Sequence, residues 1–139
     1  MGKELTGVKE KKQVLFVDDD ELVLSCYQRL LGRHFSVETA LGAARALEVM
    51  KEVPFAVIAA DLLMPEMNGI ELLKSVKSEF PETVGLLLTG NVELDDADVS
   101  RSRGLIFRLL SKPCPTADLI AAVEAALEQH RINTRAGIQ

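Results

Sequence analysis

The chain has 139 residues, a length that suits one domain with a full-sized hydrophobic core. Apolar residues make up 47% of the chain and charged residues 27%, proportions typical of a soluble globular protein. The net charge of −5 argues against direct nucleic-acid binding and against docking on an anionic membrane, and no apolar run has the length of a membrane span.

The first dozen residues are polar and rich in lysine. No apolar stretch follows that would make them a signal peptide, so residues 1–12 are expected to be a flexible lead-in. Cys26 and Cys114 lie far apart in the sequence, a spacing that does not indicate a disulfide framework. A reducing cytoplasm is therefore the expected location.

Five strands alternate with five helices along the sequence. Short apolar or alternating runs predict strands at residues 14–17, 35–39, 55–60, 84–88 and 105–110. Apolar residues at helical spacing predict helices at residues 21–31, 41–50, 69–80, 93–103 and 116–130. The helix at residues 93–103 is unusually polar, and residues 131–139 are expected to form a frayed tail.

The alternation of strands and helices predicts an α/β domain. Short connections between the elements imply right-handed crossovers and a parallel sheet covered by helices on both faces. In such a sheet, ligands bind at the carboxyl ends of the strands. A functional site is therefore expected where the strands end.

Polar side chains follow four of the five predicted strands. Asp18, Asp19 and Asp20 follow the first strand, and Asp61 follows the third. A hydroxyl, Thr89, follows the fourth strand, and an amine, Lys112, follows the fifth. Each residue alone is explained as readily by a helix cap, a turn or a solvated loop, but their conjunction at these strand ends is much rarer than its parts.

This set of side chains suggests phosphoryl chemistry. Carboxylates brought together repel one another, so we expect either that at least one takes up a proton or that a cation binds among them. Oxygen ligands without a neighbouring His or Cys favour Mg²⁺ or Mn²⁺. A carboxylate beside such a cation is a possible nucleophile toward phosphorus, while a lysine and a hydroxyl neutralise and bind the oxygens of the transferred group.

Four motifs carry a resemblance to a known family, and it extends over residues 13–130. The chain resembles the receiver domains of two-component response regulators, and is similar in outline to the chemotaxis regulator. The motifs are V-D-D-D (17–20), D-L-L-M-P-E-M-N-G (61–69), L-L-T-G-N (87–91) and L-S-K-P (110–113).

The resemblance implies a fold and a set of roles. The fold is a doubly wound five-stranded parallel sheet with helices on both faces and the flavodoxin-like order 2-1-3-4-5. Asp61 is implied to be the phosphoacceptor, and Mg²⁺ to be held by Asp18, Asp19, Asp61 and the backbone carbonyl of Leu63. Thr89 is then the switch hydroxyl and Lys112 contacts the phosphate.

The resemblance also implies partners. A sensor histidine kinase donates the phosphoryl group, and the signal passes to an effector, an output domain or a second copy. The output surface consists of the helix at residues 93–103, the strand at residues 105–110 and the final helix. The domain is then no classical enzyme, because it catalyses only its own Mg²⁺-dependent phosphorylation and dephosphorylation.

Two residues depart from the family pattern, and one peptide bond is expected to have an uncommon geometry. Leu109 stands where the family usually has an aromatic residue, and Asn68 stands where an aspartate is common. The Lys112–Pro113 peptide bond is expected to be cis, because the loop must turn the lysine back into the site.

Two other readings belong to different functional classes. A phosphohydrolase of the haloacid-dehalogenase type also uses a strand-end aspartate, but it needs a second acid two residues later, and Asp61 is followed there by Leu63. Asp18 and Asp20 have the required spacing, but no cap domain is expected in a chain of this length. A degenerate receiver would serve only as a docking module. The intact acid, threonine and lysine positions argue against that reading.

Overall fold

The computed structural model describes residues 12–90 and 104–135. The predicted helix at residues 93–103 therefore lies outside the described residues. The elements, in chain order, are β1 (Lys12–Asp18), α1 (Glu21–Leu31), β2 (Val37–Leu41), α2 (Ala43–Glu52), β3 (Phe55–Asp61), α3 (Gly69–Glu79), β4 (Val84–Thr89), β5 (Arg108–Ser111) and a C-terminal helix (Thr116–Arg135).

All five strands form one parallel sheet in the order β2-β1-β3-β4-β5. Helices α2 and α3 cover one face, and α1 and the C-terminal helix cover the other. The predicted doubly wound fold, including its strand order, is confirmed.

The central strands are buried from end to end, which explains their uninterrupted apolar sequences. Every residue of β3 and of β4 is buried. A strand covered by helices on both faces has no solvent side, so polar residues are excluded until it ends. Each large apolar side chain buried in this way stabilises the fold by about 1.5–3 kcal/mol.

Two helices begin with side-chain caps. The Asp20 carboxylate accepts hydrogen bonds from the backbone N–H groups of Leu22 and Val23, at 2.9 and 3.4 Å. Asn68 and Glu71 form a reciprocal capping box at the start of α3, each side chain accepting from the other residue's N–H at 2.9 Å. Asp20 thus has a structural role that separates it from Asp18 and Asp19.

The second strand and the helix after it begin later than the sequence predicts. Strand β2 runs over Val37–Leu41 instead of residues 35–39, because its pairing with β1 begins at Val14↔Val37 and continues to Asp18↔Leu41. Gly42 then has a φ of 91°, which a helix cannot contain, so α2 begins at Ala43 instead of residue 41.

The fifth strand is shorter than predicted. Hydrogen-bonded pairing with β4 covers Arg108–Ser111, whereas the sequence indicates residues 105–110. Residues 105–107 cross close to β4 at Gly85, where a Cβ atom would come within 2.9 Å of the Leu105 carbonyl oxygen. Residues 105–107 therefore pass against Gly85, and the strand pairing begins only at Arg108.

The C-terminal helix continues to Arg135, five residues beyond the predicted helix end at residue 130. His130 is buried, and its Nδ1 lies 2.9 Å from the Glu82 carbonyl oxygen, which ties this part of the helix to the loop before β4. The Thr134 hydroxyl donates to the His130 carbonyl within the last turn. Within the described residues, no helix combines the length and apolar character needed to cross a membrane.

Candidate functional site at the carboxyl edge of the sheet

Three carboxylates meet where β1 and β3 end. The two strands are hydrogen-bonded neighbours with Val17 opposite Ala60, so Asp18 and Asp61 reach the same edge of the sheet. Asp18 is 2% exposed and Asp61 is 8% exposed, whereas Asp19 faces solvent. One carboxylate oxygen from each of the three lies within 4.8 Å of the others.

The Lys112 ammonium is bound between the two buried carboxylates. Its Nζ lies 3.0 Å from Asp61 Oδ1 and 3.2 Å from Asp18 Oδ2. Its backbone N–H donates to the Thr89 carbonyl at 2.9 Å, which fixes the loop after β5 against the end of β4. The Lys112–Pro113 peptide bond is cis, as the sequence predicts.

Burial and charge oppose each other in this cluster. Burial raises the pKa of Asp18, and the neighbouring Asp61 charge adds to the effect, while Lys112 acts to lower it. For Lys112, burial favours the neutral amine, but the hydrogen bond to Asp61 and the charges of both carboxylates outweigh it and raise the lysine pKa. Among the described residues, one ammonium faces three carboxylates, so the site retains an excess of negative charge that favours a cation.

Thr89 closes the side of the site formed by β4. It is the last residue of that strand, it is 2% exposed, and it lies opposite Ser111 in the register with β5. Its neighbour Gly90 leaves space, since among the described residues a Cβ atom there would come no closer than 4.0 Å to the Lys112 carbonyl. The structure therefore brings Thr89 to the same edge as the acids and the lysine.

The loop after Asp61 is held by its main chain. Leu62 N–H donates to the Leu88 carbonyl and Gly69 N–H donates to the Leu62 carbonyl, both at 2.9 Å. Leu63 is 67% exposed, and its side chain offers no polar group. The role of the Leu63 carbonyl as a metal ligand stays a prediction.

A neighbour of the site that the sequence analysis missed is Tyr27 on α1. It lies three residues after Leu24 and four before Leu31, both buried, and this spacing would have placed it on the inner face of the helix. Burial raises its pKa to about 12, and the charges of Lys112, Asp18 and Asp61 also act on its hydroxyl. The phenol therefore lies within the electrostatic field of the acid cluster.

The donor set fits a hard divalent cation. All three grouped side chains are carboxylates, two buried and one open to solvent, an arrangement that leaves an approach from outside. Oxygen-only donors of this kind suit Mg²⁺ and Mn²⁺, and they do not suit the softer metals that prefer thiolate or imidazole.

Comparisons with known proteins agree with this arrangement. A family model of the response regulator receiver domain matches residues 14–124. The hydrogenase transcriptional regulatory protein HoxA of Cupriavidus necator is 31% identical over 115 residues, which are 83% of this chain and 24% of that protein. The chain thus spans about a quarter of the length of this curated relative.

Solved structures share the fold over nearly the whole chain. An adenylate cyclase structure from Rhodopirellula baltica has a TM-score of 0.87 at 36% identity, covering 92% of this chain and 96% of that one. The signal receiver domain of an HD domain-containing protein from Pseudomonas fluorescens Pf-5 has a TM-score of 0.82 at 29% identity, covering 88% and 98%. The match over residues 14–124 and the shared fold together show that this chain belongs to the response regulator receiver domains, the signalling domains of two-component systems.

Proposed function

We propose that this domain accepts a phosphoryl group on Asp61 from the phosphohistidine of a sensor histidine kinase, with Mg²⁺ as cofactor. The observation that carries the proposal is the Lys112 ammonium, which contacts both Asp61 and Asp18 although the three residues come from the ends of three different strands. A cation held 3.0 Å from a buried carboxylate is placed to neutralise the oxygens of a phosphoryl group on that carboxylate.

The chain's own residues account for the transfer. An Asp61 carboxylate oxygen attacks phosphorus, a P–O bond forms, and the P–N bond to the donor histidine breaks, leaving that histidine neutral once it takes up a proton. Lys112 neutralises charge on the phosphoryl oxygens, and Thr89, at the adjoining strand end, supplies a hydroxyl to one of them. Asp61 is 8% exposed, which limits its contact with bulk water.

The metal ligands follow from the same cluster. Asp18, Asp19 and Asp61 would hold Mg²⁺, together with the Leu63 backbone carbonyl, and Mn²⁺ would suit the same oxygens. When bound, the cation offsets the negative charge that the donor and the acids bring together.

The output is a change of surface on phosphorylation. The phosphoryl group takes Asp61 from about −1 to about −2 in charge and adds strong acceptor oxygens, to which Thr89 and Lys112 respond. The output surface would be residues 93–103, β5 and the C-terminal helix, docking with an effector domain or with a second copy. HoxA is a transcriptional regulator, which supports an effector domain that regulates transcription.

The competing functions find less support. A haloacid-dehalogenase-type hydrolase needs an acid where Leu63 stands, and that side chain is apolar and exposed. A docking-only receiver would not need two buried carboxylates, whose desolvation is costly, to be held together with a lysine.

Intact-mass measurement after incubation with acetyl phosphate and Mg²⁺ tests the proposal. The wild-type domain should gain one phosphoryl group that is lost in base and retained in acid, and chelation with EDTA should prevent the gain. Asp61→Asn should gain none. Asp20→Asn is the matched control, since Asn also caps α1, and it should be labelled like the wild type. Equal labelling of Asp61→Asn would refute the assignment.

A further inference from the structure

Tyr27 forms an aromatic pair with Phe16 of β1. Its ring, on α1, stacks on that of Phe16 with centroids 4.5 Å apart and planes inclined by 28°. Phe16 is fully buried in β1 and precedes Asp18 by two residues, so both side chains project to the same face of the sheet. The stack thus lies on the side of the sheet that carries the Asp18 carboxylate.

The loop that carries Lys112 rests on the same core cluster. Leu110 and Cys114, on either side of the lysine, pack against the cluster that also contains Phe16 and receives Tyr27. Strand β5 has only four residues, and none of them is fully buried, so the strand itself gives this loop little support. Packing against this cluster therefore adds to the Lys112–Thr89 backbone hydrogen bond in holding the loop.

The charges of the site act on the Tyr27 hydroxyl. After burial, the largest influence on the Tyr27 hydroxyl is Lys112, which acts to lower its pKa, followed by Asp18, Asp61 and Cys114, which raise it. Any change of charge at the site, by a bound cation or by a phosphoryl group, therefore changes the field at the phenol ring.

We propose that Tyr27 is a positioning residue, whose ring supports the Lys112–Cys114 loop from below and couples α1 to the charge state of the site. This inference rests on the proposed phosphoryl-accepting function of Asp61. Leu109, at the family's aromatic position, packs against the core cluster on the opposite face of the sheet. A coupling through Tyr27 would therefore lie on the other face, which α1 covers.

The chain provides its own optical probe. It contains one tyrosine and no tryptophan, so intrinsic fluorescence excited at the tyrosine band reports on Tyr27 alone. In the wild-type protein, titration with Mg²⁺ and beryllofluoride should change this fluorescence, with the same midpoint that calorimetry gives for binding.

Two substitutions separate the ring from the hydroxyl. Tyr27→Leu removes the ring and should weaken beryllofluoride affinity in Mg²⁺ by about tenfold or more, because small displacements of a positioned group cost one to two orders of magnitude in a preorganised site. Tyr27→Phe keeps the ring and should stay within about twofold of the wild type. Phe35→Leu is the control, because it truncates a buried ring of the same cluster that precedes β2 and so is not at the carboxyl end of a strand. It should lower the melting temperature without lowering the affinity for beryllofluoride.

The outcomes distinguish the two proposals. Absence of beryllofluoride binding to the wild type by calorimetry would overturn the proposed function and this inference with it. Binding by the wild type with unchanged tyrosine fluorescence would overturn the coupling alone, even if Tyr27→Leu fails to fold. Wild-type affinity in a folded Tyr27→Leu protein would overturn the positioning role.

Discussion

Glu66, in the loop between Asp61 and α3, has a backbone conformation that is unfavourable for its side chain. Its φ is 70°, and Met67 N–H donates to the Pro65 carbonyl at 2.7 Å across it, which closes a three-residue γ-turn. A non-glycine residue in the left-handed region costs about 1–2 kcal/mol. The loop that follows the phosphoacceptor candidate therefore stores strain, and such strain is often found beside functional sites.

Replacing Glu66 with glycine should stabilise the domain. The substitution relieves the left-handed strain, and the larger backbone entropy of glycine in the unfolded chain offsets about 0.5–1 kcal/mol of that gain, so we expect a net increase of about 0.5–1 kcal/mol in the free energy of unfolding. Urea denaturation measures it. Glu66→Gln removes the exposed charge but keeps the strain, and should leave the stability unchanged; an equal gain in that variant would assign the effect to charge.

The positions of the site residues could be predicted from the sequence, whereas their contacts could not. Asp18, Asp61, Thr89 and Lys112 each follow an apolar run, and a parallel sheet brings such positions to one edge. The bond from Lys112 to both carboxylates depends on how far its loop turns back, which is a property of tertiary packing. Tyr27 escaped prediction for the same reason, because helical spacing indicates its inner face but not its stack on Phe16.

Among the elements, α3 is positioned by the absence of a side chain at its first residue. A Cβ atom on Gly69 would lie 2.5 Å from the Asp61 carbonyl oxygen and 2.7 Å from Leu87 Cδ1. The helix can thus begin directly against the end of β3. The close approach also keeps the loop after Asp61 short and tied to the strand.

Gly69→Ala should therefore destabilise the domain and disturb the site. The backbone contact cannot yield without moving Asp61, and overpacking of this kind costs about 1–3 kcal/mol. The free energy of unfolding measured by urea denaturation and the affinity for beryllofluoride should both fall. Gly90→Ala, with no described heavy atom closer than 4.0 Å to the new Cβ, is the control and should change the stability by less than about 1 kcal/mol. Similar losses in both variants would contradict the steric explanation.

Element boundaries were predictable where strands are central and less so at the edges. Strands β3 and β4 are buried throughout, so their apolar runs coincide with the observed ends to within one residue. The edge strands β2 and β5 are partly exposed, and their limits depend on pairing register, on the φ of Gly42 and on the close crossing at Gly85. These features depend on tertiary packing, which a single sequence does not specify.

Across the sheet, the site is connected to the β4–β5 side more directly than to the β2 side. Lys112 joins the acids of β1 and β3 to the loop after β5, and its N–H binds the Thr89 carbonyl at the end of β4. Strands β4 and β5 are paired from Leu86↔Arg108 to Thr89↔Ser111. A movement of Lys112 toward a phosphoryl group would therefore pull on β5 and on the end of β4.

Hydrogen exchange with and without Mg²⁺ and beryllofluoride tests this path. Amides at residues 89–90 and 104–112 should exchange more slowly in the activated state, because a phosphoryl mimic on Asp61 binds Thr89 and Lys112 and tightens the β4–β5 pairing. The far edge, β2, should change least, since its pairing with β1 does not involve Lys112. Asp61→Asn should show no change on either side. Slower exchange confined to residues 61–69 would show that the signal stays in the phosphoacceptor loop, and that the surface formed by β5 and the C-terminal helix is not the output.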